Sequence, residues 1–168
     1  MERSLTAGER AALSPGLAEA LDAAGAAPVL RDAAHPGARI AALWRGSVPI
    51  LTRGDVIWWP GAPDDLSAPG LERAMAVLQH ELQHVLDYRQ GLLTGLGYLA
   101  NPRNWIYGFD LGEGRAWAAW GAEQRASMAE RLWLAERGLA HVAERAALAS
   151  VIPWTRDDGA RDAGARGT

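Results

Sequence analysis

His80, Glu81 and His84 carry the chemistry this chain announces most plainly, in the stretch "LQHELQHVLDYRQG" from Leu78 to Gly91. The chain has only 4 histidines, and two of them stand four residues apart with a glutamate directly after the first. On a helix, positions i and i+4 project from one face, close enough for both imidazoles to reach one zinc ion. Glu81 lies about 100° around such a helix from His80 and about 60° from His84. It is therefore no easy third ligand, but it stands beside a water on the metal, where a general base belongs. Zinc lowers the pKa of its water towards about 7, and the carboxylate takes the proton as the water attacks a carbonyl. Peptide hydrolysis is the reaction this pattern favours; a solvated helix face carrying two histidines by chance is the bland alternative.

A catalytic zinc takes three protein ligands and keeps one position open. No histidine follows at the short spacing of the longer H-E-x-x-H-x-x-G-x-x-H motif. The best carboxylate is Glu123 in "WGAEQRASMAERLW", 123 − 84 = 39 positions after His84, which leaves room for a loop and an antiparallel return. Ala126 and Ser127, one turn later, are small enough to let a second helix approach the first. Spacing leaves Glu130, Glu113 and Asp110 as rivals. For the donor that would stabilise an oxyanion, the candidates are Tyr107, Tyr98, Arg115 and His141, with Tyr107 preferred. Metal-bound imidazoles give their other N–H to a carboxylate or carbonyl, and Asp87, Asp110 or Glu130 fit that role.

These residues need a frame. From Thr6 to Leu21 the apolar spacing predicts two short helical pieces broken at "SPG". Between Val29 and Trp59, the runs "RIAALW", "SVPILT" and "DVIWW" with turn-rich breaks predict an antiparallel meander. "PGAPDDLSAPG" is a loop by composition, with Ser67 or a nearby aspartate expected to cap the next helix and Pro69 in its first turn. That helix should run to about Gly91, burying Leu71, Met75, Leu78, Leu82 and Val85 and presenting Val77, His80, Glu81, His84 and Tyr88 on its other side. A glycine-rich loop then leads to a helix starting near Arg115, and Gly138 separates it from a last helix at about Leu139 to Ser150. Trp58 and Trp59 are placed to line a groove for an extended peptide, whereas Trp117, Trp120 and Trp133 are expected in the core. His141 and His35 read as structural. One domain over 1–154 and a disordered tail over 155–168 complete the expected layout.

Composition narrows the function classes. All 17 basic residues are arginine, and the net charge of −3 offers no basic excess for nucleic acid. Cysteine is absent, so a metal must be held by histidine, carboxylate and water. The N-terminus has no basic segment followed by an apolar run, and no stretch approaches the length of a membrane span. A cytoplasmic protein is expected, any export needing a dedicated secretion or injection system.

"LTAGERAAL", the strand region, "HELQHVLDYRQG" and "YGFDLGEGRAWAAWGAEQRA" together resemble the zincin-like, metallopeptidase-type domain of proteins associated with contractile injection systems, including small proteins labelled Vgr-related. The resemblance spans about Leu5 to Leu134. It implies an α+β, mainly helical zincin-like fold with a small antiparallel sheet packed on the HExxH helix. It also implies Zn2+ held by His80, His84 and Glu123, with Glu81 as the base. The expected function is a zinc-dependent metallopeptidase acting on a peptide or protein substrate, with injection-system components as partners. The alternatives are a non-catalytic, metal-stapled adaptor or cargo module of such a system, and a hydrolase of a non-peptide amide.

Overall fold

Short strands, three of them carrying branched aliphatic residues, combine with helices whose apolar positions recur every three or four residues, and the two kinds of element bury their faces against each other. The computed structural model describes residues 1–36, 38 and 48–155. Strand β1 (Glu2–Ser4) is followed by helices α1 (Ala7–Ala11) and α2 (Pro15–Ala23), then β2 (Val29–Arg31), β3 (Leu51–Arg53) and β4 (Val56–Trp58). Helices α3 (Glu72–Arg89), α4 (Gly95–Ala100), α5 (Ala122–Glu136) and α6 (Val142–Val151) follow, with 3-10 turns between α4 and α5 and a last one at Pro153–Thr155. Among the described residues no helix is long and apolar enough to cross a membrane. The run "RIAALW" and the tail from 156 onward lie outside the described residues.

The architecture is α+β and mainly helical, as expected, but the sheet is mixed rather than antiparallel. Its strand order is β1-β2-β4-β3. β1 and β2 are antiparallel, β3 and β4 form an antiparallel hairpin, and β2 and β4 run parallel. The hairpin turns through Gly54 at φ +60°, the left-handed residue a two-residue hairpin loop requires. That turn reverses the chain once more, so β4 reaches β2 in the same direction. β1, which the sequence reading did not anticipate, closes one edge and leaves β3 on the other.

Register decides which side chains face α3. Leu30, Ile57 and Thr52 are lateral neighbours in β2, β4 and β3, so they share one face of the sheet. Leu30 and Ile57 are buried in the main core with Leu17, Leu21, Met75, Leu78, Leu82, Val85 and Leu86. The predicted stripe of α3 is therefore what the sheet and α2 cover. Trp59 is buried in this same core, which corrects its expected place in a groove; Trp58 is half-buried, with the Arg31 guanidinium 4.3 Å over its ring and His35 edge-on. Trp120 and Trp133 are buried and Trp117 is partly so.

Three local expectations are corrected. α3 begins after Leu71 with no side-chain cap. Ser67 instead gives both its amide and its hydroxyl to Asp65, and Glu72 accepts from the Gly70 amide. Pro69 thus precedes the helix. α5 begins at Ala122, not near Arg115, because the chain spends 117–119 in a 3-10 turn and leaves it extended. Gly121 then passes so close to the Arg103 carbonyl that an added Cβ would lie 2.0 Å from its oxygen. Gly138, at φ +68°, ends the excursion after α5, but the last helix starts at Val142.

Candidate metal centre

α3 and α5 form the most extensive helix pair in the described fold. Ala122, Ala126 and Ala129 are buried at the small-residue positions of α5, which lets the two backbones come close. Ser127 is only half-buried. A buried ion pair fixes the register: Arg125 donates from Nε and Nη2 to Asp87 Oδ2 at 3.0 and 2.9 Å, and Gln83 Nε2 donates to the other Asp87 oxygen at 2.8 Å. Trp154, in the last 3-10 turn, donates its indole N–H to Gln83 at 2.9 Å. Asp87 is thereby occupied between helices and does not touch the histidines' ring nitrogens.

One turn away, the same pairing brings Glu123 onto His80 and His84. His80 Nε2 lies 3.0 Å and His84 Nε2 3.5 Å from Glu123 Oε2, and the three donor groups lie within 4.8 Å of one another. All three side chains are buried. Ligands about 2.0–2.1 Å from one tetrahedral zinc stand about 3.3 Å apart, and the observed pair of distances brackets that spacing. Two imidazoles and a carboxylate, all aimed at one point, fit a divalent ion by donor type as well as by spacing. The described residues contain no other such group.

Three of the side chains here are held from behind, whereas the buried Nδ1 of His84 has no hydrogen-bond partner among the described residues. His80 Nδ1 lies 3.3 Å from Glu130 Oε2, the carboxylate that orients a ligating imidazole. Tyr98 of α4 donates its hydroxyl to Glu123 Oε1 at 2.7 Å. Thr52 of β3 donates its hydroxyl to Glu81 Oε2 at 2.6 Å. Glu130 thus stands behind His80 and outside the group of donor atoms that could hold an ion, and Thr52 is a residue beside that group that the sequence reading missed. The 2.0 period of the hairpin places Thr52 beside Ile57, but nothing in the sequence tells which helix that face will meet.

Other candidates fall elsewhere. Tyr107 is 53% exposed and its ring stacks on His80 with centroids 6.1 Å apart. Arg115 pairs with Glu113 and lies over Trp120. Asp110 caps its own 3-10 turn through the Gly112 amide, and His141 is exposed at the start of α6.

Electrostatics follow from this packing. Burial disfavours a charged His80, yet hydrogen bonds to Glu123 and Glu130 prevail and raise its pKa to about 10. Burial likewise opposes the Glu123 charge, and His80, His84 and Tyr98 together hold that carboxyl well below the usual range. Burial and the adjacent Glu123 charge push the Tyr98 hydroxyl up, so it remains a donor. Without metal, His80 is thus a cation between two carboxylates. Its folded pKa exceeds its ordinary 6.5, so its contribution to stability is complete below about pH 6.5 and is lost as pH rises through about 10. Binding zinc requires the neutral ring, so metal affinity moves the opposite way and rises with pH. Calorimetry in excess chelator should therefore show the melting temperature falling between about pH 6.5 and about 10, and a flat profile would contradict this charge arrangement.

No known protein family, no curated protein and no solved structure matches this chain.

Proposed function

We propose that the chain is a zinc-dependent metallopeptidase of zincin-like type. The observation that carries this reading is the convergence of His80 Nε2, His84 Nε2 and Glu123 Oε2 on one point, with the Glu81 carboxylate anchored beside them by Thr52. His80, His84 and Glu123 would hold the ion, which when bound polarises a carbonyl and acidifies water. Glu81 Oε2 is engaged by Thr52, so Oε1 accepts the proton of the attacking water and returns it to the leaving amine. Tyr98 is committed to Glu123, which leaves Tyr107, at the exposed rim over His80, as the donor to the developing oxyanion. β3 is the edge strand of the described sheet beside α3, and an extended peptide laid along it would pass Glu81.

The adaptor reading asks the metal only to staple α3 to α5. Asp87 and Arg125 already join those two helices by a buried ion pair one turn away, and a staple has no use for a carboxylate poised outside the ligand set. The hydrolytic reading accounts for both features. The affiliation with contractile injection systems rests on the resemblance over about Leu5 to Leu134 and stays within this proposal.

Elemental mass spectrometry on protein purified without a histidine tag tests the site. About one zinc per chain is expected for the wild type, falling to near zero in His84→Ala and Glu123→Ala, since loss of one of three protein ligands leaves too few. Casein, as an unfolded polypeptide, is the first substrate to offer. Equal metal in all three proteins would remove the basis of the proposal.

A further inference from the structure

We infer that Tyr98 is a positioning residue for the metal ligand Glu123, holding it so that one oxygen binds the ion and the other does not. This inference rests on the metal site proposed above and adds to it the question of how many places the ion has left for water.

A glutamate has two equivalent oxygens and three rotatable bonds, so nothing in its covalent structure prevents both oxygens from binding a metal. Here the two are not equivalent. Oε2 faces both imidazoles, at 3.0 and 3.5 Å, while Oε1 accepts the Tyr98 hydroxyl at 2.7 Å. Taken by both oxygens, an ion would have four protein donors and the closed set typical of structural sites; taken by Oε2 alone, it has three and an open position. The tyrosine bond therefore favours the three-donor set, with a position left for water, over the four-donor set.

The segment carrying Tyr98 is built to keep it there. Buried Asn104 gives its side-chain N–H to the Gly97 carbonyl at 3.1 Å and accepts the Ala122 amide, the first residue of α5, at 3.0 Å. Trp105 donates its indole N–H to the Tyr98 carbonyl at 3.2 Å. Gly121, the residue that admits no Cβ against Arg103, brings the start of α5 directly onto this turn. α4 and the 3-10 turn after it thus dock on the N-terminus of α5, whose first residue immediately precedes Glu123. The hydroxyl reaches Glu123 from a scaffold fixed to Glu123's own helix.

The test uses the full chain without a tag, zinc affinity being read by competition with a chromophoric chelator and coordination by the visible absorption of the cobalt(II) protein. Tyr98→Phe removes only the hydroxyl. Zinc affinity should fall about 10- to 100-fold, as for loss of other outer partners of ligands, and the cobalt(II) bands should change in intensity as Oε1 joins the metal. A merely structural role for Tyr98 would lower the melting temperature of the metal-free protein and leave the cobalt(II) spectrum alone. An unchanged affinity and spectrum in Tyr98→Phe, with Glu123→Ala still losing metal, overturns the inference and spares the site. A wild-type protein that binds no zinc, or a Glu123→Ala variant that binds it as well as wild type, overturns the site and the inference with it.

Discussion

Glu81→Gln is expected to retain about one zinc per chain and to lose about 10²- to 10⁴-fold in kcat on any peptide substrate, the range that general base catalysis supplies. Glutamine preserves the length and the acceptor oxygen that Thr52 holds at 2.6 Å, but it cannot take a proton. The change is thus confined to the one property the mechanism demands. KM should move little, because Glu81 contributes to proton transfer and not to holding the substrate. The buried position sharpens the test, since a carboxylate that is 7% exposed is not readily replaced by a solvent base. Steady-state kinetics beside metal analysis decide it: retained metal with full activity would show that Glu81 is not the base.

The largest effect on stability should come from Arg125→Met. Asp87 and Arg125 are 0% and 2% exposed, and two guanidinium nitrogens of Arg125 donate charge-assisted hydrogen bonds to the one oxygen Asp87 Oδ2. Removing the guanidinium leaves a buried carboxylate with only Gln83 against it. Breaking such a pair costs about 3–5 kcal/mol, out of a total near 5–15 kcal/mol for a typical domain. The Trp120 carbonyl loses its donor as well. Urea unfolding should show that loss for the single variant and a substantial recovery in Asp87→Leu/Arg125→Met, where no charge is left alone. Additive losses in the double variant would show that the two residues act separately.

The parts of the site that lie on one helix were legible in the sequence because helical spacing is local. His80, Glu81 and His84 needed only the 3.6-residue period, and the buried stripe from Met75 to Val85 followed from the same rule. Glu123 was legible more weakly, through a distance compatible with an antiparallel return and the small residues after it. What could not be read was lateral contact. The parallel pairing of β2 with β4 depends on where the hairpin lands, not on the composition of either strand. Thr52 looked like any β-branched strand residue until the sheet face bearing Ile57 met α3. Tyr98 stood among four donor candidates, and only the docking of α4 on α5 separated it from Tyr107. The start of α5 was misplaced because alanine and tryptophan favour a helix from Arg115, whereas the close pass of Gly121 against Arg103 forbids it.

The Ala12 carbonyl accepts two hydrogen bonds, from the Trp133 indole at 2.7 Å and from the Arg137 guanidinium at 2.6 Å. Its neighbour Ser14 donates to Glu136 at 2.7 Å. Residues near the start of the chain are therefore completed by residues more than a hundred positions later, a separation that makes for slow folding. On a ribosome, α2, the sheet and α3 emerge first, and α3 carries two imidazoles and a carboxylate with nothing yet to complete them. Only when α5 has cleared the exit tunnel can it close over the N-terminal turn and bring Glu123 to the histidines in the same movement. Chain order thus couples the closure of α5 over the N-terminal turn to the first meeting of Glu123 with His80 and His84, and Trp154 reaches Gln83 only after that.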